Sequence, residues 1–178
     1  MHFRDARLWF FSECDIGAAC VFRAILAFFI LYSVGCSADD KEVDVSNERQ
    51  ALLAIYEASK RAHVNTNVEQ LLANSGETFI SVSNGKISRP TREDKEKFFK
   101  KYFENATYHE YDDLETPIVR VSSDGTLGWM ITRLHARRTQ VDKSGTSHER
   151  EFVYAGIMLY EKKDGKWIRI GNVSTLQK

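Results

Sequence analysis

The chain has 178 residues, 43% apolar and 12% aromatic, enough for one substantial core and too few for two full domains. Its 25 basic and 25 acidic side chains cancel, so no long-range field draws it to nucleic acid or to an anionic bilayer. All three cysteines fall at or before Cys36, which leaves the rest of the chain no material for a disulfide.

The first element is a leader. An apolar run from Ala24 to Val34 follows Arg23; it is about half the ~20 residues a spanning helix needs and matches the ~7–15 of a signal-peptide core. "SVGC" (Ser33 to Cys36) then places small residues before a cysteine and resembles the lipobox of bacterial lipoproteins, although Ser33 stands where that family more often has leucine. The resemblance implies cleavage before Cys36 and lipidation of its thiol, and several acyl chains hold a protein on a membrane where one holds it marginally. Ser37 in place of aspartate resembles lipoproteins sent on to the outer membrane, so the expected location is the cell envelope, lipid-anchored on the periplasmic face. Asp5, Glu13 and Asp15 do not suit a basic flank; residues 1–20 are therefore read as a misassigned start, with Val21 initiating at a GTG codon. The segment divides into a signal over 1–35, a polar acidic tether over 36–45 and a domain over 46–178.

Ser46 is positioned to cap a helix over 47–64, with Leu52, Ile55, Tyr56, Ser59 and His63 along one face. "TNVE" (Thr66 to Glu69) reads as a capping box for a two-turn second helix ended by "NSG". "FISVSNGKIS" (Phe79 to Ser88) centres on Asn84-Gly85, a pair that tolerates positive φ and predicts a hairpin. Thr91 caps a third helix with acids in its first turn and an apolar strip of Phe98, Phe99, Tyr102 and Phe103. Strands follow near 106–113, 117–122, 126–140, 147–161 and 166–175, separated by "SSDG", "DKSG" and "KKDG". No repeat and no low-complexity tract interrupts them.

This order of elements, with the "SNGKIS" hairpin, "DGTLGWM" (Asp124 to Met130) and "LYEKKDGKW" (Leu159 to Trp167), resembles the NTF2-like superfamily, in particular its SnoaL-like branch, over about residues 46–176. The resemblance implies an α+β cone: a curved antiparallel sheet wrapped around the first helix, with three helices in the N-terminal half and a pocket at the open end. Dimerisation through the outer sheet face is common among such proteins, so a homodimer is expected. The superfamily contains both enzymes and non-catalytic proteins, so the fold does not decide the function.

Matched to ketosteroid isomerase, Tyr56 falls at the tyrosine of the oxyanion hole, while Val82 falls at the base and Ala155 or Gly156 at the protonated acid. Neither valine, alanine nor glycine transfers a proton, so no side chain is assigned a catalytic role. The pocket candidates are Tyr56, Trp129, Arg133, Tyr154 and Asn172, as ligand-binding residues. If the near end of the Arg133, His135, Arg137 row points into the cone, Arg133 binds a carboxylate and Trp129 stacks on an apolar ligand. The alternative is an exposed stripe facing Glu149 and Glu151. "YHEYDDLE" (Tyr108 to Glu115) predicts His109, Tyr111 and Asp113 on one face of a solvated edge strand; one histidine among acids matches no closed zinc pattern, so no metal and no cofactor are expected. The preferred reading is a membrane-tethered domain binding a small apolar or amphipathic ligand, or a partner protein, without chemistry. The rival is an isomerase, cyclase or dehydratase using His63, His135 or Asp113 as base.

Overall fold

The computed structural model describes residues 44–177; the leader, the tether as far as Val43 and Cys36 lie outside them. Three helices precede or interrupt seven strands: α1 (Val45–Val64), α2 (Val68–Leu72), β1 (Ser75–Ser83), β2 (Lys86–Ser88), α3 (Arg92–Phe103), β3 (Ala106–Asp113), β4 (Ile118–Val121), β5 (Leu127–Val141), β6 (Ser147–Lys163) and β7 (Lys166–Gln177).

The starts of α1 and α2 differ from expectation by a residue or two. Asp44, rather than Ser46, caps α1, its carboxylate accepting from the N–H groups of Ser46 (3.0 Å) and Asn47 (3.1 Å). A carboxylate satisfies two orphan donors and suits the positive end of the helix dipole. Asn67 caps the five-residue α2, because Thr66 is taken up by the left-handed turn out of α1, at φ 51°. Thr91 does cap α3, in a full capping box with Asp94. Asn84 and Gly85 both have positive φ, the conformation the hairpin required.

The strands form one curved, unclosed sheet of order β2-β1-β7-β6-β5-β3, with β4 sharing the β5 edge with β3. One pairing departs from the expected all-antiparallel shell: β1 runs parallel to β7, through Ser81↔Asn172 and Ser83↔Ser174. The chain between them includes the whole remainder of the sheet, so the first hairpin docks on the last strand rather than on its sequence neighbour.

Helix α1 lies across the inner face. Its N-terminal turn is fastened to the β6–β7 hairpin by Glu48, which accepts from Lys162 Nζ (2.5 Å) and Trp167 Nε1 (2.8 Å). One turn on, Leu52 fills the space a side chain at Gly128 would occupy: a Cβ there would meet Leu52 Cδ1 at 2.7 Å. Leu52, Tyr56, Val119, Met130, Met158, Tyr160 and Trp167 form the main core. Beyond it Ala62, Leu71, Phe103 and Tyr108 make a second cluster under α2 and α3. Within the expected apolar strip of α3, Phe98 is 60% exposed, while Lys95 is buried at 6%. Among the described residues no helix is long and apolar enough to cross a membrane.

Candidate functional site

Three side chains meet between α1 and the sheet. Tyr56 and Lys60 are one turn apart and therefore stack on the same side of α1. Asp113 closes β3 opposite Leu134, on the inner face. The Tyr56 hydroxyl donates to Asp113 Oδ1, and Lys60 Nζ lies 2.6 Å from Oδ2, with Glu57 at 3.1 Å on its outer side. The Lys60 and Asp113 side chains keep 18% and 17% of their exposure, sheltered yet within reach of a small molecule. Burial, and then the adjacent Asp113 anion, push the Tyr56 phenol well above its ordinary range. Burial works against the Lys60 charge, but Asp113 and Glu57 outweigh it and hold the ammonium above the usual lysine value. At neutral pH the site is thus a neutral phenol and an ammonium serving one carboxylate. Thr132, 2% exposed, sits on β5 beside this phenol.

An aromatic wall continues from it. His63 stacks on Tyr111 (centroids 4.8 Å apart) and meets Phe103 edge-on at 5.7 Å. Its Nδ1 is 3.0 Å from the Ser59 carbonyl, a geometry in which Nδ1 carries the proton and donates. Burial among these rings pushes its pKa down to about 4, so the imidazole is neutral at pH 7. On β6, the Tyr154 phenol folds back over Gly156: a Cβ at 156 would meet its oxygen at 2.6 Å and the Val173 carbonyl at 2.7 Å. The phenol points toward Asn172 and Ser174 on β7.

Of the five pocket residues expected from sequence, Tyr56, Tyr154 and Asn172 lie on this inner face. Trp129 and Arg133 do not, which corrects the expected pocket. Along β5 the buried positions are Gly128, Met130, Thr132, Leu134, Ala136 and Arg138, so Trp129 (39% exposed) and Arg133 project outward. The row Arg133, His135, Arg137 is the exposed stripe: Arg133 pairs with Glu115 (3.1 Å), His135 with Glu151 (2.9 Å) and Glu110 (3.3 Å), and Arg137 with Glu149 (3.2 Å). Alternation grouped these residues correctly, but the apolar Leu127, Trp129 and Ile131 made the wrong face read as core. Those three join Ile118, Ile157, Leu159 and Val173 in an apolar stripe across the outer face, in cross-strand register Ile118↔Ile131↔Ile157↔Val173, each 36–53% exposed.

The strand β3 also departs from simple alternation. A register shift between Tyr108 and Glu110 turns His109 outward, where its Nε2 is 2.5 Å from the Thr139 hydroxyl, and puts Tyr108, Tyr111 and Asp113 inside. A β-bulge of this kind re-aims side chains, and nothing in "YHEYDDLE" marks it. Val82 pairs with Val173 on the outer face and Ala155 with Arg133, while Gly156 faces inward under the Tyr154 phenol. Lys60 and Thr132 were not foreseen; Lys60 was legible only as the residue one turn beyond Tyr56. Among the described residues no three His, Cys, Asp or Glu side chains converge as a metal site. A separate open groove of about 780 Å³ between α2 and α3 is lined by Val68, Phe103 and mixed charges such as Glu96 and Lys100.

No family model matches the chain, and no curated protein matches it. Solved structures do. The chain is similar to a ketosteroid isomerase-like protein from Erwinia carotovora (14% identity, TM-score 0.59, covering 74% of this chain and 97% of that one). It is also similar to an NTF2-like protein from Cytophaga hutchinsonii (14%, 0.58, 72% and 98%) and to the association domain of C. elegans CaMKII (13%, 0.52, 73% and 96%). The chain therefore has an NTF2-like fold.

Proposed function

We propose that this domain binds a small apolar or amphipathic ligand between α1 and the inner face of the sheet, without chemistry. The observation that carries the reading is the state of Asp113. It is an inward carboxylate, and it is already held by Tyr56 and Lys60 from its own chain. His63, the inward imidazole, is neutral and faces aromatic rings and a backbone carbonyl instead of an acid; His135 faces Glu110 and Glu151 on the outer surface. The positions that resemble the isomerase base and acid carry Val82 and Ala155 or Gly156. Thermal denaturation across a library of small apolar and amphipathic compounds tests it: binding to the folded state raises Tm, and a library with no such compound overturns the reading.

The same proposal includes assembly. An exposed apolar stripe of this extent marks an interaction surface, and the named association domain among the similar folds supports self-association as a homodimer through it. Ile157→Asp, at the centre of the stripe, is expected to convert the dimer to a monomer in light scattering; a wild-type chain that is monomeric at tens of micromolar refutes this part. Lipidation at Cys36, and with it residence on the periplasmic face of the outer membrane, is supported by the leader alone. Intact mass of the native protein checks it, and any mature peptide from residues 1–20 refutes the reassigned start.

One observation favours the rival, enzymatic reading: Asp113 is inward and reachable, with the Tyr56 phenol beside it as an oxyanion donor. Turnover of an enolisable ketone that Asp113→Asn abolishes would establish that reading in place of binding alone.

A further inference from the structure

Two cations sit at the inner end of β1 and β7. Lys95 on α3 is 6% exposed and its Nζ donates to Ser75 Oγ (2.7 Å) and the Gly76 carbonyl (2.9 Å), both neutral. It lies 4.5 Å from the Phe79 ring centroid. The Arg169 guanidinium lies 5.7 Å from the same ring. Arg169 faces inward because it pairs with Tyr160 on β6 and Ser75 on β1, both on the inner face. Among the described residues, neither Lys95 nor Arg169 has a carboxylate within ion-pair distance.

That is unusual, since sheltered cations are ordinarily paired. Elsewhere inside, Lys60 has Asp113 and Lys162 has Glu48. Arg138, also without an acid, commits its guanidinium to the Tyr102 carbonyl at 2.7 Å. Arg169 makes no such bond to a described residue. The Phe79 ring against which both cations lie is itself buried, so the guanidinium stands beside an apolar face of the interior. Burial first, then the Arg169 and Arg92 charges, holds Lys95 below the ordinary lysine range, the response of a cation lacking a counter-ion.

We propose that Arg169, backed by Lys95, anchors an anion, and that the ligand of the interior is a small organic carboxylate with an aromatic or aliphatic body. The inference rests on the reading of the interior as a ligand site and names the class of ligand. A guanidinium offers two parallel N–H donors that match a carboxylate, and the Phe79 ring beside both cations suits an apolar body. It transfers to Arg169 the role that alternation had given Arg133, whose side chain is on the other face.

The test uses the full chain with 4-phenylbutyrate, its neutral analogue 4-phenylbutyramide, and inorganic phosphate. The acid is expected to raise Tm and to shift the Arg169 Nε–H resonance, the amide to do neither at the same concentration, and phosphate to act at least tenfold more weakly. Arg169→Gln is expected to weaken acid binding at least tenfold; should that variant not fold, the wild-type resonance comparison decides alone. Equal responses to acid and amide overturn the anion anchor while leaving a binding interior in place. A response to phosphate as strong as to the acid overturns the organic class. No response to any of the three overturns the inference, and the compound library then judges the broader reading independently.

Discussion

The two faces of β5 are built from the same stretch of chain and have opposite fates. Inward, Gly128, Met130, Thr132 and Leu134 meet α1; outward, Trp129, Ile131 and Arg133 face away from it. The outward set is the bulkier, yet the helix packs on the other one, because Gly128 leaves room for Leu52 and brings the helix close enough for Tyr56 to reach Asp113. Packing follows the fit between surfaces, and hydrophobicity alone does not choose the face.

The sharpest way to break this comparison is to truncate neighbours. Met130→Ala is expected to cost about 2–5 kcal/mol, the range for emptying a fully buried site, while Ile131→Ala costs below about 1 kcal/mol in dilute protein. Urea unfolding measures both, and equal losses would mean that the outer stripe is covered as completely as the core. Gly156→Ala comes next, at roughly 1–3 kcal/mol, since the new Cβ collides with the Tyr154 phenol and with the Val173 carbonyl, and a backbone atom cannot swing away. A crystal structure of that variant should show Tyr154 displaced from Asn172 and Ser174; an unmoved phenol would contradict the account.

The third test is pH. His63 is held down to about 4, against about 6.5 in an unfolded chain. As pH falls through that window the unfolded chain takes up the proton first, so stability is complete above about pH 6.5 and declines toward pH 4. The loss amounts to roughly 3 kcal/mol if the full difference is realised. Unfolding midpoints at pH 7, 5.5 and 4.5 should fall for wild type and stay nearly level for His63→Leu; parallel declines would assign the effect to other groups. The smallest expectation belongs to the outer ion row. Arg133→Ala, removing an exposed pair with Glu115, should leave Tm unchanged within error, and a clear drop would show that this row is sequestered in an assembly.

Local signals carried most of the architecture. The Thr91 cap, the Asn84-Gly85 turn, the Asp-Gly turns and the strand periodicities placed the elements to within a few residues, because each depends on contacts close in sequence. The α1 start was missed by the choice between Asp44 and Ser46, two residues that cap equally well in isolation. The inner face was only partly legible: of the expected residues Tyr56, Tyr154 and Asn172 lie on it and Trp129 and Arg133 on the other, and Lys60 went unremarked.

By itself, then, the amino-acid sequence determined the order of helices and strands, the turn chemistry, and which residues of each strand travel together. The tertiary structure alone decided which of the two groups turns inward, how the bulge in β3 aims Tyr111 and Asp113, and that β1 joins β7 in parallel. Those choices depend on the meeting of surfaces far apart in the chain, where a one-residue shift exchanges inside for outside, and no local preference distinguishes the two outcomes.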